Sequence, residues 1–387
     1  MKKSAIIVLL ILLGNLAPAN AAETLPEPFF KYLGSKYLGN PGVILINSNN
    51  NEVVYQDGAE KPRTPASVLK IISTAAIALT LDTSTVFKTA IYKTEKKGVF
   101  VIWGDNDPWI TSNAKYRDAN KRAYMPTLIK AAFASDKSLK KISLIYKGVN
   151  NSDILYAKKA LKRRSSVAYR PISKNVEVES LITEKIAEIS SPPLHKMIRF
   201  ALLYSDNVLS QRLIMVATGR NGYPLTRTGL NKMANAKISE LGVDTTGMVL
   251  MDGSGLSGQN RVSAVTVSQL LLKVKSEPKL KVIYDSLPIS GESGTLIGRY
   301  HSTAPQAVGL VRAKTGSTRH TVSLAGFATS GDKEYVFVVI ADGVGKTRRL
   351  QDAARSAIDR MLGTITKPAV SGLTPPVAEN NPFTTNP

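Results

Sequence analysis

The most informative stretch of the chain runs from Thr64 to Leu81 and reads TPASVLKIISTAAIALTL. Thr64 is a favourable N-cap and Pro65 suits the first helical position, so the pattern predicts a helix that begins here and continues as a long apolar run. On that helix Ser67 and Lys70 would project from one face, because they are three residues apart. An amine whose pKa is lowered by burial or by neighbouring positive charge can take the proton of a serine hydroxyl. The stretch therefore predicts Ser67 as a nucleophile and Lys70 as its base.

The Ser-x-x-Lys spacing carries little weight by itself, because it recurs in this chain. The same spacing is found at Ser112–Lys115, Ser138–Lys141 and Ser276–Lys279, with no further sign of chemistry there. What distinguishes the pair at Ser67 is the predicted helix start, where free backbone N–H groups favour a developing oxyanion. Further motifs are needed to support a catalytic role.

A second candidate motif is Ser205-Asp206-Asn207, which follows a helical pattern that begins at Leu194. Ser205 could relay a proton to a leaving amine, while the amide of Asn207 could bind a substrate carbonyl and orient Lys70. The alternative is an ordinary helix N-cap, a position that all three residue types favour. This motif is also weak when it is considered alone.

A third candidate motif is Lys314-Thr315-Gly316-Ser317, at or near the end of a predicted strand. Lys314 and Thr315 could hold a substrate carboxylate, and Gly316 would allow the backbone to approach closely. The N–H of Ser317 could point into an oxyanion site. Ser-x-x-Lys, Ser-Asp-Asn and Lys-Thr-Gly in this order are typical of penicillin-binding proteins and serine β-lactamases, so the three motifs together are strong evidence.

Other catalytic classes are disfavoured by the residues that carry their chemistry. The chain has no cysteine, which excludes disulfides, thiol catalysis and cysteine-ligated metals. His195, His301 and His320 lack metal-ligand spacing, and we expect no metal or cofactor. A Ser-His-Asp hydrolase would carry a Gly-x-Ser-x-Gly elbow, which the segments Gly255–Gly258 and Gly291–Gly294 miss by one residue.

Beyond these motifs, residues 28–105 and 190–362 resemble the D-alanyl-D-alanine carboxypeptidase/endopeptidases, the class C low-molecular-mass penicillin-binding proteins. The resemblance rests on the run Asp252-Gly253-Ser254-Gly255-Leu256 and on Leu287-Pro288, Gly294-Thr295-Leu296 and Arg299. It implies that Ser67 forms an acyl-enzyme with Lys70 as base, assisted by Ser205 and Asn207. It further implies that Lys314 and Thr315 hold the terminal carboxylate of a peptide ending in D-Ala-D-Ala, and that the Ser67 and Ser317 N–H groups form the oxyanion hole.

The expected fold is of the α+β class, a β-lactamase/transpeptidase-like antiparallel sheet flanked by helices. Strands are predicted at 42–46 and 52–55 and again at 308–313, 322–328 and 335–340, with a last helix over 350–362. Residues 22–81 and 190–363 would form the catalytic domain. Residues 82–189 would form an inserted accessory domain, which is shorter than in the best-known family members and leaves its role in wall docking or substrate choice open. Residues 364–387, rich in Pro, Thr and Asn, would be a disordered tail.

The two ends and the charge bear on location and partners. Lys2, Lys3, an apolar run and Ala19-Asn20-Ala21 predict a signal peptide over residues 1–21 and a periplasmic protein. The net charge is +22, with basic clusters at 158–164 and 346–349. Peripheral contact with an anionic membrane or wall polymer is one interpretation, and a solvated surface is the other. Nucleic acid is disfavoured because no nucleic-acid motif accompanies the charge.

Three functions are compatible with these motifs. A carboxypeptidase, with or without endopeptidase activity, would act on peptidoglycan stem peptides and be acylated by β-lactams. A serine β-lactamase would instead hydrolyse the β-lactam adduct rapidly. A non-catalytic relative would bind cell wall without turnover, since folds outlive functions.

Overall fold

The structure, a computed structural model, describes residues 24–161, 166–173 and 175–368. The predicted signal peptide, part of the basic cluster at 162–164 and most of the predicted tail lie outside these residues. The described strands are β1 (Gly42–Asn47), β2 (Glu52–Asp57), β3 (Lys88–Lys93), β4 (Val99–Gly104), β5 (Ile142–Lys147), β6 (Val167–Pro171), β7 (Lys185–Ser190), β8 (Val311–Ser317), β9 (Val322–Ser330) and β10 (Lys333–Ala341).

The described α-helices lie before, between and after these strands. They are α1 (Glu27–Leu33), α2 (Leu69–Thr80), α3 (Ala114–Asn120), α4 (Met125–Ser135), α5 (Asn151–Ala160), α6 (Leu194–Leu203), α7 (Asn207–Arg220), α8 (Arg227–Ser239), α9 (Ala264–Ser276), α10 (Lys281–Ser286) and α11 (Arg348–Gly363). No helix among these residues combines the length and the apolar character needed to cross a membrane.

The first sheet joins the two ends of the chain in the antiparallel order β2-β1-β10-β9-β8. Helices cover both faces of its central strands, and successive side chains of a strand point to opposite faces, so neighbouring residues enter different clusters. On β10, Val336, Val338 and Ile340 pack among α2 and α6–α10, whereas Phe337 and Val339 pack with α1 and α11. The predicted antiparallel sheet with helices on its faces is confirmed.

The second sheet, β6-β5-β4-β3-β7, is formed by residues between the first two motifs. Strands β4, β5 and β6 are parallel, while β3 is antiparallel to both β4 and β7. Its own apolar cluster includes Phe100, Leu144, Ile129 of α4 and Ile154 of α5. The sequence predicts short strands at 86–92, 99–103 and 142–146, which correspond to β3, β4 and β5. It did not predict strands β6 and β7 or helices α3, α4 and α5. The domain boundaries remain a prediction.

Three local expectations are wrong. Thr64 does not cap a helix, because Ala66–Val68 form a 3₁₀ turn with Ala66 at φ 50°, and α2 starts only at Leu69. Strand β8 begins at Val311, since Gly309 lies at φ +79° and interrupts an earlier start. The tail does not begin at 364, because Ile365 and Thr366 are buried and Lys367 bridges to β9.

Helix α11 offers a test of the packing behind the first sheet. Ile358 is fully buried in the cluster between α1, α11 and the sheet. Ile358→Ala should lower the free energy of unfolding by about 2–5 kcal/mol, because it removes buried methyl groups and leaves a cavity. Arg348 of the same helix is 94% exposed, and Arg348→Ala should change it by less than about 0.5 kcal/mol. Denaturant unfolding measures both variants, and equal effects would contradict the assigned packing.

Candidate active site

Ser67 lies in the 3₁₀ turn that precedes α2, half-buried against the edge of the first sheet. The turn is held from β9, where the hydroxyl of Ser323 donates to the Pro65 carbonyl at 2.6 Å. Gly316 of β8 makes the close approach possible. A Cβ at this position would lie 2.1 Å from Ser323 Oγ and 2.7 Å from the Pro65 oxygen. The glycine of the third motif therefore brings β8 against the turn that carries the first.

Lys70 lies one turn into the protein from Ser67 and is fully buried. Its Nζ donates to three acceptors: Ser67 Oγ at 2.9 Å, Asn207 Oδ1 at 2.7 Å and the carbonyl of Ser254 at 2.7 Å. Three acceptors match the three donors of an ammonium group. The amine is thereby fixed beside the serine hydroxyl from which it would take a proton.

Burial lowers the pKa of Lys70 to about 8, because the charged form loses its hydration. The carboxylates of Asp252 and Asp206 oppose this shift and favour the charged form. Lys314 is also fully buried, and burial followed by repulsion from Lys70 lowers its pKa well below the usual value. The long apolar run after Lys70 in the sequence agrees with this burial, but nothing in the sequence indicated the opposing carboxylates.

The Ser254 carbonyl that faces Lys70 belongs to a loop organised by a single carboxylate, that of Asp252. Its oxygens accept hydrogen bonds at 2.7 Å from the N–H groups of Ser254, Gly255 and Ser257, at 2.7 Å from the Ser254 hydroxyl and at 3.1 Å from the Asn260 amide. These donors hold the pKa of Asp252 below its usual value, although burial acts in the opposite direction. The sequence indicated this loop through the family resemblance but gave no sign that its backbone contacts Lys70.

Ser205 lies in the connection between α6 and α7, and Asn207 is the first residue of α7. Ser205 adopts φ 57°, the left-handed region, which makes the connection tight. Asp206 is the N-cap of α7 and accepts the N–H of Leu209 at 2.8 Å. The motif therefore contains the N-cap that we considered as an alternative, and Asn207 also reaches Lys70.

The third motif lies within β8 and contributes groups of different exposure. Lys314 is buried and its Nζ donates to the Thr315 carbonyl at 2.9 Å. The Thr315 hydroxyl donates to Thr295 Oγ1 at 2.8 Å, and Ser317 Oγ accepts from Arg355 at 2.8 Å. Thr315 is half-buried and Ser317 is exposed, so both are more accessible to a ligand than Lys314. The sequence did not predict the contacts to Thr295 and Arg355.

The histidines lie in separate surroundings. His195 Nδ1 is 3.1 Å from the Thr83 carbonyl, and His301 Nε2 is 3.1 Å from the carbonyls of Gly291 and Ile297. Among the residues that the structure describes, no group of three or more His, Cys, Asp or Glu side chains could hold a metal ion.

A model of the D-Ala-D-Ala carboxypeptidase 3 (S13) family matches residues 155–365, more than half of the chain. The chain belongs to this family. The family and enzyme class predicted from the motifs are thereby confirmed. The chain is 28% identical to carboxypeptidase DacB of Mycolicibacterium smegmatis over 84% of its own length and 82% of that protein. It is also 36% identical to the D-alanyl-D-alanine carboxypeptidase of Actinomadura. That match covers 41% of this chain and 30% of the Actinomadura protein.

Solved structures share the fold. Penicillin binding protein 4 of Haemophilus influenzae is similar with a TM-score of 0.69 and 19% identity, over 86% of this chain and 98% of that one. A second structure of that protein, complexed with a β-lactam, has a TM-score of 0.67, 20% identity and coverage of 87% and 96%. The predicted β-lactamase/transpeptidase-like fold class is confirmed.

The loop of Asp252 offers a test with an internal control. Gly255 has φ +83°, and a Cβ there would lie 1.9 Å from the Ala66 carbonyl, whereas a Cβ at Gly258 would meet nothing within 4 Å. Gly255→Ala should displace the loop and the Ser254 carbonyl from Lys70 and slow the reaction of Ser67 by about tenfold or more. Gly258→Ala should leave the rate unchanged. Mass spectrometry of the protein with a penicillin measures both rates, and a wild-type rate for Gly255→Ala would contradict the assigned contact.

Proposed function

We propose that the chain hydrolyses the last peptide bond of peptidoglycan stem peptides ending in D-Ala-D-Ala, through an acyl-enzyme on Ser67. The observation that carries this proposal is the Lys70 amine, which is buried and lies 2.9 Å from Ser67 Oγ. A buried amine with a pKa of about 8 is partly neutral near neutral pH, as a general base must be. Membership of the carboxypeptidase family supports the choice of substrate.

In the acylation step, Ser67 Oγ attacks the carbonyl carbon of the penultimate D-Ala and its proton passes to Lys70. The N–H groups of Ser67 and Ser317 would stabilise the oxyanion. When the C–N bond breaks, the departing D-Ala amine receives a proton, which we assign to relay from Lys70 through Ser205. Asn207 would hold Lys70 and the substrate amide in register. Water then hydrolyses the ester, with Lys70 again as base, and restores the Ser67 hydroxyl.

The terminal carboxylate of the substrate would be held at the β8 edge. Thr315, whose hydroxyl is oriented by Thr295, is the group that would contact it. Because Lys314 is buried beneath this edge, we assign it an electrostatic contribution from within rather than a direct grip in the ligand-free site. The same acyl-enzyme could accept a cross-linked peptide, which would make the protein an endopeptidase as well.

We also propose that the protein is exported to the periplasm by a signal peptide over residues 1–21. The basic start, the apolar run and the small residues at 19 and 21 support this. The net charge of +22 supports peripheral contact with an anionic membrane or wall polymer.

The nucleophile is tested by labelling with a fluorescent penicillin. The wild type should form a covalent adduct on Ser67 that persists for minutes and should release D-Ala from a pentapeptide. Ser67→Ala should do neither, because the acyl-enzyme cannot form. Ser276→Ala, which alters another Ser-x-x-Lys pair, should behave as wild type. Rapid penicillin hydrolysis without D-Ala release would favour a β-lactamase, and an unlabelled wild type would favour a non-catalytic wall-binding protein.

The base is tested by the pH dependence of acylation. Lys70 accepts a proton only when it is neutral, so the second-order rate of acylation should rise with pH and level off above its pKa of about 8. Stopped-flow measurement with a chromogenic β-lactam gives this profile. Lys70→Arg should react very slowly at every pH, since arginine does not lose its proton. A wild-type rate that is constant from about pH 6 to 9 would exclude Lys70 as the titrating base.

A further inference from the structure

Arg122 lies in the segment between the first two motifs, in the short connection from α3 to α4, yet its side chain is almost fully buried. The guanidinium carbon stacks over the ring of Trp109 at 4.9 Å and lies 5.7 Å from the ring of Phe200, which belongs to α6. A planar guanidinium is suited to such stacking, and arginine keeps its charge when buried more readily than lysine does. The residue is therefore held in place against the catalytic helices.

The charge of Arg122 is directed at the second catalytic motif. Its Nη2 donates to Asp206 Oδ2 in a short ion pair, while Asp206 Oδ1 caps α7 through the N–H of Leu209. Both carboxylate oxygens of Asp206 are thus engaged by elements outside its own loop. Its neighbours in sequence are Ser205, in a left-handed conformation, and Asn207, which contacts Lys70 at 2.7 Å. The orientation of both depends on where this carboxylate is held.

A second ion pair crosses the same boundary in the opposite direction. Arg212 of α7 lies 2.9 Å from Asp153 of α5 and donates to the Ile110 carbonyl at 2.6 Å. Both members are largely buried. Helix α7, which begins at Asn207, is therefore attached to the inserted segment at its N-cap, Asp206, and again nearly two turns later at Arg212. Breaking this second pair would loosen the boundary without touching Asp206.

We propose that Arg122 is a positioning residue for acylation: through Asp206 it fixes Ser205 and Asn207 against Lys70, so that the inserted segment forms part of the catalytic machinery. This proposal rests on the function proposed above. Arg122 touches no reacting atom, and it acts through the carboxylate that it binds.

The ion pair also has an electrostatic effect on the base. The charged groups that raise the pKa of Lys70 are Asp252 and Asp206, and Lys70 in turn lowers the pKa of the buried Lys314. Arg122 is surrounded by Asp206, Arg212, Asp153 and Tyr116. Nearby Asp107 is buried, which raises its pKa to about 7, and it faces Arg212 and Asp153.

Removing Arg122 leaves the negative charge of Asp206 uncompensated, which favours protonated Lys70 and moves the acylation profile to higher pH. Removing the charge of Asp206 does the reverse.

The experiment compares Arg122→Gln and Arg122→Lys with the wild type, with penicillin acylation measured from about pH 6 to 9.5 and thermal unfolding measured in parallel. Arg122→Gln should lower the rate at neutral pH by about tenfold to a hundredfold, since a small misplacement of catalytic groups has effects of that size. Its pH midpoint should rise. The rate and the pH midpoint of Arg122→Lys should lie between those of the wild type and of Arg122→Gln, because lysine keeps the charge but not the planar guanidinium that lies over Trp109.

Asp206→Asn should shift the pH midpoint of acylation in the opposite direction. It should not remove the helix cap, because asparagine is an equally good N-cap. Its midpoint should fall below that of the wild type. Asp153→Asn is the matched control: it should lower the unfolding temperature but leave the midpoint unchanged.

Three results would overturn the inference: a folded Arg122→Gln protein with wild-type rate and midpoint, an Asp153→Asn midpoint that moves as far as that of Arg122→Gln, or a rising midpoint in Asp206→Asn. If Arg122→Gln does not fold, Arg122→Lys and Asp206→Asn decide. A labelled wild type with unaffected variants refutes only this inference, whereas an unlabelled wild type refutes the proposed function.

Discussion

The site depends on a single buried amine. Lys70 Nζ donates hydrogen bonds to three acceptors that lie in three separate parts of the chain: the turn before α2, the start of α7 and the loop after α8. Each acceptor is held in place by its surroundings. Gly316 allows β8 to pack closely against the turn of Ser67, the cap of α7 holds Asn207, and the Asp252 carboxylate organises the loop of Ser254. An ammonium group without such partners would be very costly to bury, so the surrounding loops must hold their geometry for the protein to fold as well as to react.

The same burial suits the amine to the role of base that we propose for it. A lysine in water would be protonated at neutral pH and could not accept a proton. Withdrawal from water lowers its pKa to about 8, while Asp252 and Asp206 keep it from falling further. Nearby Lys314 is buried too, and the two positive charges disfavour each other. In the mechanism that we propose, the balance between burial and these charges would set the pH range in which Lys70 can activate Ser67.

The family and the enzyme class could be predicted because the identity and order of the residues in the three motifs are typical of that class, while the roles of the individual residues stay predictions. The strand pattern of β10 was also readable, since a strand buried on both faces is a continuous apolar run. The contact of Ser254 with Lys70 and the pairing of Arg122 with Asp206 could not be predicted. They join residues 184 and 84 positions apart, and no local pattern specifies such partners. Thr64 failed as a helix cap because the left-handed Ala66 and the approach of β8 override local preference.

The first sheet has a consequence for how the molecule is made. Strand β1 pairs with β10, and the hydroxyl of Ser48 binds the carbonyl of Glu334, 286 residues further along the chain. A polypeptide that emerges from its N-terminus therefore cannot close this sheet until almost all of it is available. Contacts of such long range make folding slow, because the entropy of closing a large loop is lost before the contacts contribute any favourable free energy. The turn that carries Ser67 packs against β8 and β9, so a chain that lacks these strands cannot yet hold the proposed nucleophile in its final place.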